Sequence, residues 1–190
     1  WPRGNASNIN LILNYLSYVI FASLSILQFR KKDFDLIFVY EPSPITVCLP
    51  AILFKKIKKL PIYFWVLDLW PESLLSSQKV KTSLIPRMLL PLVKYIYKNC
   101  DCILVSSKGF INSIKNKSIS KSKIVYFPQW AETLFKPLDY NPESDQRLIP
   151  EGFNIMFAGN IGSGQDFDSI LEAAKILNEN PNIKWSIIGH

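Results

Sequence analysis

"PIYFWVLDLWPES", from Pro61 to Ser73, runs through seven apolar or aromatic positions and then breaks into a turn carrying two carboxylates, an indole and a proline. From Pro61 to Leu67 both parities are apolar, as in strands of a parallel sheet covered on both faces. Three further stretches share this character: "DLIFVY" (Asp35 to Tyr40), "CILVSS" (Cys102 to Ser107) and "KIVYF" (Lys123 to Phe127). Helical patterns lie between them, at Ile45 to Lys59, Leu84 to Lys98 and Lys108 to Lys117. Strand and helix alternate without a fixed-period repeat, which predicts an α/β fold with a doubly wound parallel sheet.

The alternation pauses at "KPLDYNPESDQRLIPEG" (Lys136 to Gly152), a polar, proline-bearing stretch that reads as a linker. It then restarts with "FNIMFAG", a helical pattern and "IKWSIIG". The expected organisation is a first domain over residues 1–135, a linker over 136–152 and a second domain from 153 to 190. One strand-helix-strand unit is too small to bury a core alone, and a helix precedes the first visible strand. With Trp1 in place of methionine, these features predict an internal piece of a longer protein, both domains incomplete.

Of the 190 residues, 48% are hydrophobic and 13% aromatic, which suits a packed core rather than disorder. Cys48, Cys100 and Cys102 form an odd set without a C-x-x-C pair, against a disulfide framework or zinc site and in keeping with a reducing cytosol. His190 is the sole histidine, so neither a histidine metal centre nor a Ser-His-Asp triad is expected. Charge is unevenly spread. Up to Tyr140 there are 19 Lys and Arg against 8 Asp and Glu, a balance of +11; beyond it 3 face 7, a balance of −4. A basic first unit suits an anionic partner such as lipid head groups or a diphosphate, and a solvated lysine-rich surface accounts for it as well. Its lysines are not interleaved with an aromatic platform, which argues against nucleic acid.

Asn5 to Phe29 contains no charge, and "LILNYLSYVIFASLSIL" (Leu11 to Leu27) approaches the length of a membrane span. On a helical wheel Ser7, Asn10, Asn14, Ser17, Ser25 and Gln28 fall in one sector of about 80°, interrupted by Phe21. That stripe suits a helix buried in the first domain, with a membrane-surface helix and a spanning helix as alternatives. Arg30, Lys31 and Lys32 follow, able to meet an anionic leaflet or to solvate a helix end.

Three loops sit where chemistry is expected. In "DLWPES" (Asp68 to Ser73) Asp68 and Glu72 can orient or deprotonate a hydroxyl and Trp70 can offer a face to a sugar ring; a turn with a capping side chain explains the spacing equally. In "VSSKGF" (Val105 to Phe110) helix N–H groups and Lys108 can meet an anion, or a serine simply caps the helix. In "FAGNIGSGQDFD" the glycines Gly159, Gly162 and Gly164 follow a strand and precede a helix whose face is Phe167, Ile170, Leu171, Ala174 and Leu177. The spacing is G-x-x-G-x-G and no acid ends the next strand, against NAD; no G-K-[ST] is present, against a P-loop. Asp166 and Asp168 in the first helical turn complement the helix dipole and would repel phosphate.

Taken in order, "ILNYLSYV", "FDLIFVYEPSP", "WVLDLWPESL", "CDCILVSSKGF", "IVYFPQWAETLFKP" and "FNIMFAGNIGSGQDFDSILEAAKIL" resemble bacterial family 4 glycosyltransferases, retaining enzymes of the two-domain GT-B fold. Within that family the chain looks most like WbuB-type enzymes, which transfer amino-deoxy sugars in O-antigen or capsule synthesis. The resemblance implies two Rossmann-like domains, the first for the acceptor and the second for a nucleotide-diphosphate sugar, with catalysis in a cleft between them. It puts Asp68 and Glu72, the catalytic candidates, in that cleft on the acceptor side, next to Trp70 and Lys108, which their loops offer for substrate binding. Gly159, Asn160, Gly162 and Gln165 would face the donor diphosphate.

It further implies no metal or other cofactor, a polyprenyl-diphosphate-linked saccharide as acceptor, and a cytoplasmic protein peripheral on the inner membrane face. Relatives carry arginine and lysine where this chain has Asn160 and Gln165, and asparagine where it has Gln129. The family's paired-glutamate motif falls beyond His190, so this piece alone is expected to be inactive. A GT-B sugar-nucleotide epimerase and a non-enzymatic basic binding protein are the alternative readings.

Overall fold

The chain divides into two compact units, Trp1–Trp130 and Ala131–His190. A computed structural model describes residues 8–76, 84–137, 150–162 and 165–189. Ser7, Gly164, His190 and most of the predicted linker lie outside the described residues.

The first unit begins with helix α1 (Asn8–Ile26). There follow β1 (Ile37–Glu41), α2 (Cys48–Lys58), β2 (Ile62–Val66), α3 (Glu72–Ser76), α4 (Leu84–Asn99), β3 (Cys102–Val105), α5 (Lys108–Asn116) and β4 (Ile124–Tyr126). All four strands are parallel, in the order β1-β2-β3-β4. The α/β class with parallel sheets is thus as the alternating pattern predicts.

The strand order explains where the core lies. Parallel crossovers are right-handed, so three that advance the same way across a sheet put their helices on one face. The registered row Val39–Phe64–Ile103 points to that face, as does the row Glu41–Val66–Val105 one pleat further on. All six side chains are buried, packed with Ile52 of α2, Val93, Ile96 and Tyr97 of α4 and Ile114 of α5. Asp101 fixes the strand starts: its Oδ2 accepts the Ile62 N–H at 2.7 Å and the Lys55 ammonium at 2.5 Å.

On the opposite face the expectation of burial holds only in part among the described residues, Leu104 being buried there. Phe38, Tyr40 and Tyr63 are exposed. Trp65 is covered, by other aromatics and not by a helix: Trp130 stacks on it at 5.5 Å and 14°, and Tyr40 and Phe127 meet it edge-on. The Trp65 indole N–H donates to the Phe127 carbonyl at 3.1 Å.

Helix α1 also departs from expectation, since none of its apolar stretch from Ile9 to Phe29 is fully buried. Asn10, Asn14, Tyr15 and Ser17 are half-buried, Tyr15 packing against the core, whereas Ile9, Ile12, Leu16, Ile20, Phe21 and Leu24 are exposed. The covered side mixes Leu11, Tyr15, Val19, Ala22 and Ile26 with Asn10, Asn14 and Ser17, while Ser25 and Gln28 of the stripe are exposed and a second apolar face points outward through Ile9, Leu16, Ile20 and Leu24. Arg30, Lys31 and Lys32, all exposed, follow the helix.

The second unit pairs β5 (Phe153–Ala158) with β6 (Ile183–Ile188) in parallel, joined through helix α6 (Phe167–Ile176). Phe167, Ile170, Ala173 and Ala174 are its half-covered positions; Leu171 and Leu177 of the predicted face are exposed. Phe157 and Phe167 meet edge-on at 5.0 Å.

Candidate functional site

Ligands of open parallel sheets bind at the carboxyl ends of the strands. In the first unit those ends bring together the residues after β1 and β2. The Trp70 indole N–H is shared between Asp68 Oδ2 at 3.1 Å and Ser43 Oγ at 3.3 Å, which ties the two loops. Beneath them lies Glu41, the last residue of β1, with 0% exposure; its Oε2 accepts the Asp68 backbone N–H at 3.3 Å. Burial raises the Glu41 carboxyl to about 8, the Asp68 amide opposing the shift and the Asp68 charge adding to it. Burial likewise pushes the Tyr97 hydroxyl well above its ordinary range.

Beside this network a pocket of about 390 Å³ is lined by Asn14, Tyr18, Ser43 and Thr46, with Tyr15 and Val47. Neutral amides and hydroxyls of this kind suit an uncharged polar ligand.

Trp70 does not present a ring to a ligand. It is 6% exposed and belongs to the core, so its role here is to orient Asp68 through Nε1. Glu72, the first residue of α3, turns to α5, where its Oε1 accepts the Lys117 ammonium and the Ser113 hydroxyl, each at 2.6 Å. Asp68 and Glu72 thus serve different networks. The second pocket, about 470 Å³, is lined by Glu72, Arg87, Ser113, Asn116 and Lys117 with Pro71 and Leu90, and does not include Asp68.

Lys108 opens α5 and stands 5.4 Å above the Tyr126 ring. The serine cap is present: Ser107 Oγ accepts the Gly109 N–H at 3.3 Å. Lys108 itself is exposed, so its ammonium is accessible to an anion.

In the second unit Gly159 leaves β5 with its N–H on the Ile188 carbonyl at 2.9 Å. Gly189 must be glycine, because a Cβ there would fall 1.9 Å from the Gly159 carbonyl oxygen. Gln165 Oε1 accepts the Gly162 N–H at 3.2 Å, so this side chain closes the loop on itself and occupies a donor that a phosphate would otherwise take. Asn160 is exposed. Asp166 precedes α6 at a φ of 49° and receives the Ser169 hydroxyl at 2.7 Å. Gly159, Asn160, Gly162 and Gln165 therefore share one loop of the second unit, exposed at Gly159, Asn160 and Gln165.

Two residues that matter here escape sequence reasoning. Glu41 sits one residue past the predicted strand, and Lys117, 4% exposed, reads as an ordinary charged helix end. The one available signal for Lys117 is Ser113, four residues earlier, whose Oγ lies 2.8 Å from its ammonium. Among the described residues no group of three or more His, Cys, Asp or Glu is arranged to hold a metal ion.

No family model matches the chain. Over 96 residues it is 27% identical to WcaI of Escherichia coli (strain K12), assigned by name to glycosyl transfer in colanic acid biosynthesis. The match spans 48% of this chain and 23% of WcaI. Among solved structures it aligns with the apo form of the lipopolysaccharide outer core galactosyltransferase WaaB. The TM-score is 0.48 and the identity 19%, over 96% of this chain and 51% of that one. The chain thus spans about half or less of the proteins it matches.

Proposed function

We propose that this chain belongs to a retaining glycosyltransferase of the GT-B type that moves a sugar from a nucleotide-diphosphate donor to a lipid-linked saccharide. The observation that carries this reading is its sequence similarity to the glycosyl transferase WcaI. Two parallel α/β units of the required class support it. An amino-deoxy sugar as the transferred group, and O-antigen, capsule or exopolysaccharide as the product, follow from the WbuB-like motifs.

In this reading Asp68 receives the proton of the acceptor hydroxyl, with its carboxyl aimed by the Trp70 N–H. The saccharide occupies the neutral pocket between α1 and the loop after β1. Glu72 is an internal tie to Lys117 rather than a reacting group. The loop that carries Gly159, Asn160, Gly162 and Gln165 meets the donor diphosphate through backbone N–H groups and the exposed Asn160 amide.

The lipid part of the acceptor gives the exposed apolar residues of α1 a role. An outward apolar face followed by Arg30, Lys31 and Lys32 suits a helix lying in the interface of an anionic leaflet. The protein would then be cytoplasmic and peripheral on the inner membrane face.

Incubating the full-length protein with nucleotide sugars and a polyprenyl-diphosphate-linked saccharide tests this reading. A glycolipid product one sugar heavier supports it. Conversion of the donor without acceptor would make the protein an epimerase instead, and neither outcome across donors would overturn the enzyme reading.

A further inference from the structure

We propose that Glu41 is a positioning residue for Asp68, holding the Asp68 amide from below through Oε2 and thereby fixing where the Asp68 carboxyl stands. The inference rests on the role given to Asp68 above. Glu41 is wholly buried at the carboxyl end of β1, facing the helices rather than the solvent. The Asp68 N–H is 3.3 Å from its Oε2, and the Leu67 N–H, one residue earlier, is 3.2 Å from the Glu41 backbone carbonyl. Two consecutive amides of the loop after β2 are thus tied to one residue of β1.

Among the described residues the groups around Glu41 include no cation to balance its charge. Asp68 faces it from the loop, Tyr97 from α4 and Cys48 from α2, each interacting with it electrostatically. None is a cation, and the ion pairs among the described residues lie elsewhere, at Lys55–Asp101 and Lys117–Glu72. Among the described residues neither Glu41 Oε1 nor the Tyr97 hydroxyl has a hydrogen-bond partner, and a buried carboxylate would not tolerate an unpaired oxygen. Glu41 therefore works as the neutral acid. Ionising it puts a second negative charge under Asp68 in a dry site, and the loop has to open to hydrate that charge.

The test is a pH titration of the Trp70 indole 1H–15N resonance in the 190-residue chain, assigned with Trp70→Phe. A transition with a midpoint near 8 is expected, absent in Glu41→Gln. An indole unmoved from neutral to alkaline pH, or a transition that survives in Glu41→Gln, overturns the proposal. If Glu41→Gln does not fold, 13C-labelled glutamate carboxyls in the unsubstituted chain replace it: one must titrate near 8, and titration of all in the ordinary carboxylate range overturns the proposal.

The full-length enzyme supplies the functional arm. Glu41→Ala lowers kcat about tenfold with the acceptor KM unmoved, and Glu41→Gln, which keeps an acceptor oxygen for the amide, recovers most of that loss and removes the alkaline limb of the kcat profile. A rise in acceptor KM instead would make Glu41 part of the binding pocket and overturn positioning. The two readings fail separately. An indole that follows Glu41 in a protein without transferase activity removes the proposed function and keeps the Glu41–Asp68 coupling.

Discussion

The Trp70 indole N–H lies 3.1 Å from Asp68 Oδ2 and 3.3 Å from Ser43 Oγ, so one buried ring joins the ends of two adjacent strands. Removing only that donor separates packing from orientation. Trp70→Phe keeps an aromatic ring in the core and is expected to cost about 1–3 kcal/mol of stability. Transfer activity should fall about tenfold or more. Chemical denaturation and the transfer assay, run on the same preparation, check both numbers.

The Glu72–Lys117 pair is asymmetric: the Lys117 side chain is 5% exposed and that of Glu72 45%. Glu72→Gln keeps an acceptor oxygen but removes the charge that balances a buried ammonium, whereas Lys117→Met leaves a carboxylate that water reaches. Glu72→Gln should therefore destabilise by about 1–3 kcal/mol and Lys117→Met by less, read from denaturation midpoints.

Stability should fall with pH on account of Glu41. Its carboxyl moves from 4.5 in the open chain to about 8 when folded, so between these values the unfolded state is ionised and the folded state holds the proton. The contribution is fully present below pH 4.5 and is lost as pH rises to about 8, at up to ~1.4 kcal/mol per unit. Denaturation across that range should show the slope, and Glu41→Gln should flatten it.

The strands and helices of the first unit are legible because each is a short apolar run or a 3.6-period stripe bounded by polar residues. What escapes depends on distant neighbours. The predicted first strand ends at Tyr40, since a glutamate reads as loop; Glu41 is buried only because Asp68 and Tyr97 close over it. Equal apolarity on both parities cannot distinguish a helix-covered face from one where Trp65 and Trp130 cover each other. Trp70, beside two carboxylates, reads as an exposed platform until the core takes in its ring. In α1 the wheel places Phe21 inside the polar sector and does not show which side α2 covers.

Membrane binding should depend on the outward face of α1. Leu16→Glu with Phe21→Glu alters exposed positions, so folding should persist while sedimentation with anionic liposomes drops about tenfold or more. Added salt should weaken binding of the unsubstituted protein, as should Gln in place of Arg30, Lys31 and Lys32. Binding indifferent to both changes would detach α1 from the membrane.

The glycine loop permits a gain as well as a loss. Gln165→Lys frees the Gly162 N–H and adds a cation, and should tighten donor binding several-fold by calorimetry without moving the thermal midpoint by more than a few degrees.

Mass analysis of the lipid-linked product formed by the full-length protein and by its Asp68→Asn variant tests the central claim most directly. The expected result is a product one sugar heavier than the acceptor with the original protein, and about a hundredfold less with a variant that folds equally well. Equal product from Asp68→Asn, or no sugar transferred from any nucleotide donor by the original protein, would contradict the account.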